Sequence, residues 1–181
     1  MIEDEARQRF ADVVMPQADH AFRLALWLTR NRDDAEDVVQ DASLRAFRAI
    51  GDFAGASPRA WFLTIVRRTA YTWIAKNRPK DLVATDDLEA AERDRPEADP
   101  GFGVRPLPSP EAILLAKQES GRVRGAIEAL PVRFREALVL RDLEEMSYRE
   151  IAGTLDVPIG TVMSRLARAR AMLMRDLAEV E

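Results

Sequence analysis

The chain has no cysteine and only one histidine, His20. Without thiols there is no disulfide framework, no thiolate metal site and no cysteine nucleophile. A lone histidine, with no partner at ligand spacing, provides neither a metal centre nor a proton-transfer pair. No apolar run approaches the ~20 residues that cross a bilayer, and the leading segment MIEDEARQRF is too charged for a secretory signal. Strand patterning is also lacking, since no convincing pair of alternating segments occurs. The carboxylate pairs Asp33-Asp34 and Glu144-Glu145 fall where helix caps and turns are expected, so they read as local charges rather than an acid–base couple. These absences leave a soluble, cytoplasmic, non-catalytic protein with no metal, no cofactor and no membrane insertion as the expectation.

Net charge is scarce as well, at −4 over 181 residues. Residues 1–80 carry 13 basic and 11 acidic groups, residues 81–110 carry 3 and 8, and residues 111–181 carry 11 and 12. The acidity therefore gathers in the middle. Phosphate neutralisation supplies most non-specific DNA affinity, so a chain this weakly charged is expected to meet duplex DNA only within a larger assembly.

What the sequence does have is helical periodicity, broken once. Residues 2–15 suggest a helix closed by Pro16, and residues 17–30 a second with Ala18, Ala21, Phe22, Ala25, Leu26 and Thr29 on one face. A third, capped by Asp33 or Asp34, runs to Ile50 with Ala35, Val38, Val39, Ala42, Ala46 and Ile50 inward. Asp37, Gln40, Asp41, Leu44 and Arg48 stand together on its outward side, where Leu44 among polar groups is either a scattered surface leucine or part of a docking stripe. After the loop Gly51–Pro58, the segment Arg59–Arg78 is helical and mixes Trp61, Tyr71 and Trp73 with Arg59, Arg67, Arg68, Lys76 and Arg78. Rings between cations suit single-stranded nucleic acid, with bases stacking while basic groups follow the backbone, although any one ring taken singly is better explained by the core.

From 81 to 110 periodicity stops in an acidic stretch containing Pro96, Pro100, Pro106, Pro108 and Pro110, too long for a connection inside one domain. Helical patterning resumes over 111–130, and Pro131 opens a further helix. Then comes SYREIAGTLDVPIGTVMSRLARARAMLM, residues 147–174. Ser147 and Glu150 form a capping box, Tyr148, Ile151, Ala152 and Leu155 give one buried face, and Asp156-Val157-Pro158 ends the helix. A second helix begins near Gly160, with Val162, Leu166, Ala169 and Leu173 apolar and Thr161, Arg165, Arg168 and Arg175 opposite, Ser164 beside them. Two short helices joined by a tight turn, the second sized for a major groove, make a helix-turn-helix, and Thr161, Ser164, Arg165 and Arg168 are its candidate DNA contacts. The fold expected is all-α: two small helical domains, 1–80 and 111–181, joined by the linker 81–110.

In the order DAEDVVQDASLRAFRAI (34–50), PRAWFLTIVRR (58–68), LPVRFREALVLRDLEEMSYREIA (130–152) and VPIGTVMSRLARAR (157–170), the chain resembles the extracytoplasmic-function sigma factors of bacterial RNA polymerase. The resemblance implies region 2 over 1–80 and region 4 over 111–181. It also implies docking of Asp37, Gln40, Asp41, Leu44 and Arg48 on the beta-prime clamp helices, with the beta flap as a second polymerase contact. Arg59, Trp61, Arg67, Arg68, Tyr71, Trp73, Lys76 and Arg78 would open and capture the −10 promoter element, and Thr161, Ser164, Arg165 and Arg168 would read the −35 element. The linker would thread toward the RNA exit path. An anti-sigma factor and a stress or envelope response are implied as control. Arg68 stands where many relatives carry an asparagine, so base capture there is expected to differ. Two other readings remain open from the residues: a stand-alone helix-turn-helix regulator and a sigma-like decoy that binds an anti-sigma protein.

Overall fold

A computed structural model describes residues 2–55, 57–82 and 121–178. Most of the acidic stretch, from residue 83 on, and the start of the helix expected at 111 lie outside the described residues. Every regular element among the described residues is helical.

The N-terminal lobe holds four helices: α1 (Ile2–Val13), α2 (Ala18–Thr29), α3 (Arg32–Ala49) and α4 (Pro58–Asn77). Alanines let these helices approach closely. Ala21, Ala25, Ala35, Ala42, Ala46 and Ala70 are fully buried, and Leu24, Leu28, Phe62, Leu63, Val66 and Ile74 fill the space between them. The buried side of α2 is centred on Leu24 and Leu28; Ala18, Phe22 and Leu26, expected on it, are only half-buried. The cap of α3 also differs from expectation. Asn31, in extended backbone, accepts a hydrogen bond from the Asp34 amide, leaving Asp33 and Asp34 as first-turn charges at the positive helix end. Ser57 caps α4 by accepting from the Ala60 amide, with Pro58 in the first turn.

The C-terminal lobe combines short pieces with one long helix: α5 (helical over 121–129), α6 (Val132–Leu138), α7 (Tyr148–Leu155) and the long α8 (Ile159–Ala178). The helix opened by Pro131 does not stay α-helical. Beyond Leu138 it widens into a π turn, Val139–Leu143, closed by the Glu144 amide donating to the Val139 carbonyl at 2.9 Å. The capping box at α7 is present in both directions. Asp156, at φ 55°, takes the left-handed conformation that ends α7 before Pro158, so the break begins in the backbone ahead of the proline.

The two lobes pack against each other. One apolar cluster runs continuously from Val14 in the N-terminal lobe to Leu166 in α8, and Trp27 of α2 also packs against a second cluster containing Phe134, Leu138 and Ala169.

Candidate nucleic-acid interface

On α3 the outward patch is intact. Asp37, Gln40, Asp41, Leu44 and Arg48 are all exposed, and Leu44 presents 54% of its surface to solvent. Asp41 is held by Arg45 one turn on, at 3.0 Å. A large apolar side chain ringed by charges can seat a partner without burying an unpaired ion.

The α4 candidates divide around the helix. Trp61 rests on Phe53, ring centroids 4.9 Å apart, while Arg59 is half-buried and Arg68 is exposed. Trp73 and the exposed Lys76 line an open groove of about 240 Å³ with Asp37, Asp41, Thr69 and Thr72, between α3 and α4. Arg78 lies 5.4 Å over the Trp73 ring and donates to the Thr29 carbonyl at 2.8 Å. Arg67 turns inward instead. It stacks 4.4 Å over Tyr71 and donates two hydrogen bonds, at 2.7 and 3.1 Å, to the carboxylate of Glu136 on α6. Burial pulls the Arg67 pKa down, but the charge of Glu136 and its hydrogen bonds outweigh that and raise it. The Tyr71 hydroxyl is pushed far up, first by burial and then by the charge of Glu136. Both groups hold their protons throughout the physiological range.

On α8, Thr161 and Ser164 are half-buried, and the Ser164 hydroxyl donates to the Thr161 carbonyl at 3.0 Å. Arg168 is half-buried. Arg165, expected on the outward side, is only 6% exposed, with Nη1 3.6 Å from Glu136. Its direction follows from that carboxylate: a buried anion draws every cation within reach. The arginine expected to serve the −10 element and one expected to serve the −35 element therefore converge on one buried carboxylate.

A second polar junction lies on α2. The Glu144 side chain is fully buried, accepts from Arg23 at 2.8 and 3.0 Å, and faces His20 Nδ1. Neither member reads that way in the sequence: Glu144 looks like a turn charge, and His20 a partnerless histidine. Arg23 is raised chiefly by its hydrogen bond to Glu144. Elsewhere between the lobes, Arg135, 1% exposed, donates to the carbonyls of Glu128, Leu130 and Leu28 at 2.6, 3.1 and 3.5 Å. Burial, then the positive charge of Arg30, lowers its pKa to about 10. The Ser57 hydroxyl adds a lighter link across the lobes, donating to Glu150 at 3.3 Å. Arg135, Glu136 and Glu144 were missed by spacing arguments. The available signal was an Arg-Glu pair set inside the apolar run from Phe134 to Leu140, where no side is left for solvent. Among the described residues, no group of His, Cys, Asp and Glu is arranged to hold a metal ion, and no helix is long and apolar enough to cross a membrane.

A four-helix lobe with an exposed patch on α3, packed on a helix-turn-helix lobe, is the arrangement of a sigma-class protein. Residues 14–80 match Sigma-70 region 2, and residues 120–173 match Sigma-70 region 4. The ECF RNA polymerase sigma-E factor of Escherichia coli K12 is 36% identical over 140 residues, covering 76% of this chain and 70% of its own length. The ECF RNA polymerase sigma factor SigE of Mycolicibacterium smegmatis is 33% identical over 168 residues, covering 93% of this chain; the chain spans 61% of that relative's length. The sigma factor RpoE of Bartonella quintana, solved with the anti-sigma factor NepR, superimposes with a TM-score of 0.66 at 25% identity, covering 93% of this chain and 96% of that one. CnrH, solved with the cytosolic domain of CnrY, shares the fold at a TM-score of 0.61 and 24% identity, covering 99% and 98% of the two chains. The chain belongs to the ECF RNA polymerase sigma factors.

Proposed function

We propose that this protein binds core RNA polymerase in the cytoplasm and directs it to specific promoters, making and breaking no bond itself; the chemistry belongs to the polymerase. The observation that carries the reading is the pairing of region 2 and region 4 on one chain, with the α3 patch around Leu44 left open to a partner. Residues 1–80 dock on the polymerase clamp and serve the −10 element, residues 111–181 serve the −35 element, and 81–110 tether them.

The packed arrangement is the resting state in this reading. Arg67 and Arg165 cannot reach phosphate or base while both are held by Glu136, so the lobes must part before promoter DNA is engaged. Docking of α3 on the polymerase leaves the lobe interface free to open, and promoter phosphates then replace the carboxylate as the arginines' partner. Opening the duplex requires unstacking and unpairing, and base stacking on Trp61 and Trp73 returns ~1–3 kcal/mol per base. An anti-sigma protein that favours the packed arrangement would hold the factor off, a role supported by the complex of the Bartonella quintana neighbour with its anti-sigma factor.

Reconstitution tests this. Purified core polymerase, promoter library and this chain should together yield promoter-selective transcripts, while the isolated chain binds duplex weakly. Tight sequence-specific duplex binding without polymerase, or the absence of selective transcripts, would overturn the reading.

A further inference from the structure

The leading end of α8 is apolar where a groove reader is usually polar. Ile159 and Met163 lie one turn apart on the same side of the helix, and each leaves 45% of its surface in solvent. Gly160 follows Ile159, and a Cβ there would meet nothing within 4 Å, so the surface beside them is open. The polar groups that might have led have other partners: the Ser164 hydroxyl is spent on the Thr161 carbonyl, and Arg165, held by Glu136 in the packed arrangement, turns to phosphate once the lobes part. The helix carries no acidic residue before Asp176, and Arg168 and Arg175 follow the apolar end while Arg170 is held by Asp142 at 3.0 Å, a charge pattern that suits a polyanion.

In the major groove, the only apolar group on a base edge is the 5-methyl of thymine. We propose that Met163, flanked by Ile159, reads a thymine methyl in the upstream promoter element, making this position a determinant of promoter choice. The inference rests on α8 acting as the groove reader. Withdrawing the sulfur-bearing chain and a methyl from water together favours thymine over cytosine or uracil at the same step, without any hydrogen bond.

The test uses holoenzyme assembled from core polymerase and the full chain. Duplexes selected by that holoenzyme from a library randomised across the upstream element are remade with each thymine singly replaced by deoxyuridine, which removes only the methyl. One replacement should weaken binding about three- to tenfold. Met163→Ala should weaken the unmodified duplex by a similar factor and make that replacement silent. The proposal is overturned if every deoxyuridine duplex binds as well as its parent, or if the two losses multiply. It is equally overturned if Met163→Ala weakens core polymerase association, which would make the side chain a protein contact. A wild-type holoenzyme that selects no upstream sequence would bring down the functional reading itself, and that result is seen before any variant is made.

Discussion

The two lobes solve burial differently. In the N-terminal lobe, long helices pack through alanine, and the buried surface is almost wholly apolar. In the C-terminal lobe the short α6 and α7 pack against the long α8, and the buried set includes Arg135, Glu136, Glu144 and Arg165. Those buried anions are answered largely from across the interface, Glu136 by Arg67 and Glu144 by Arg23 and His20. Buried ion pairs roughly break even against the water they give up, yet removing one member is expensive. An interface of this kind is specific without being permanent.

The contrast is broken most forcefully at Glu136. Glu136→Ala should cost about 3–5 kcal/mol, because Arg67 and Arg165 lose their shared anion; denaturant titration measures the loss. Small-angle scattering should show a larger radius of gyration if the residue holds the lobes together. An unchanged radius would place the closure in the apolar cluster alone.

Ala42→Leu tests the other lobe. Ala42 is fully buried within the bundle of α2, α3 and α4, so the added carbons should cost roughly 1–3 kcal/mol by overpacking. Here the denaturation midpoint should fall without the lobes separating beforehand.

Ser147→Ala should cost about 1 kcal/mol, since it removes half the capping box of α7. The Glu150 pKa lies below its ordinary value of 4.5, first because the Ser147 amide donates to the carboxylate and then because the hydroxyl does. A carboxyl lowered by folding adds stability that is fully present above the unfolded value and fades as pH falls through the folded one. Thermal melts between pH 6 and pH 3 should therefore show a steeper acid loss in the wild type than in the variant. Smallest in stability is Leu44→Asp, expected within about 0.5 kcal/mol of wild type because the side chain is exposed. Affinity for core polymerase should nevertheless drop, as read by fluorescence anisotropy.

The helices of the N-terminal lobe were legible because each buries one stripe and the stripe repeats at helical spacing. The residues expected on the outward side of α3 do stand exposed. The cap was misjudged because Asp33 and Asp34 suit a helix start chemically, whereas Asn31 has the extended backbone a cap needs. The C-terminal lobe was less legible for a different reason. The helix-turn-helix is set by local rules and was read from them. The direction of Arg165 is set by a carboxylate on another helix, and the burial of Glu144 by His20 and Arg23 more than a hundred residues away in sequence. Spacing within one helix carries no information about a counter-charge that only folding delivers.

The π turn at Val139–Leu143 carries one more residue than an α-helical turn over the same stretch. Each residue of an α-helix advances the chain by about 100° around its axis. Deleting a single residue there would restore ordinary winding and swing α7 and α8 by about that angle relative to α6. Glu144 would leave Arg23, and α8 would point in another direction with its own sequence untouched. The aim of α8 is thus stored in one surplus residue well upstream of it.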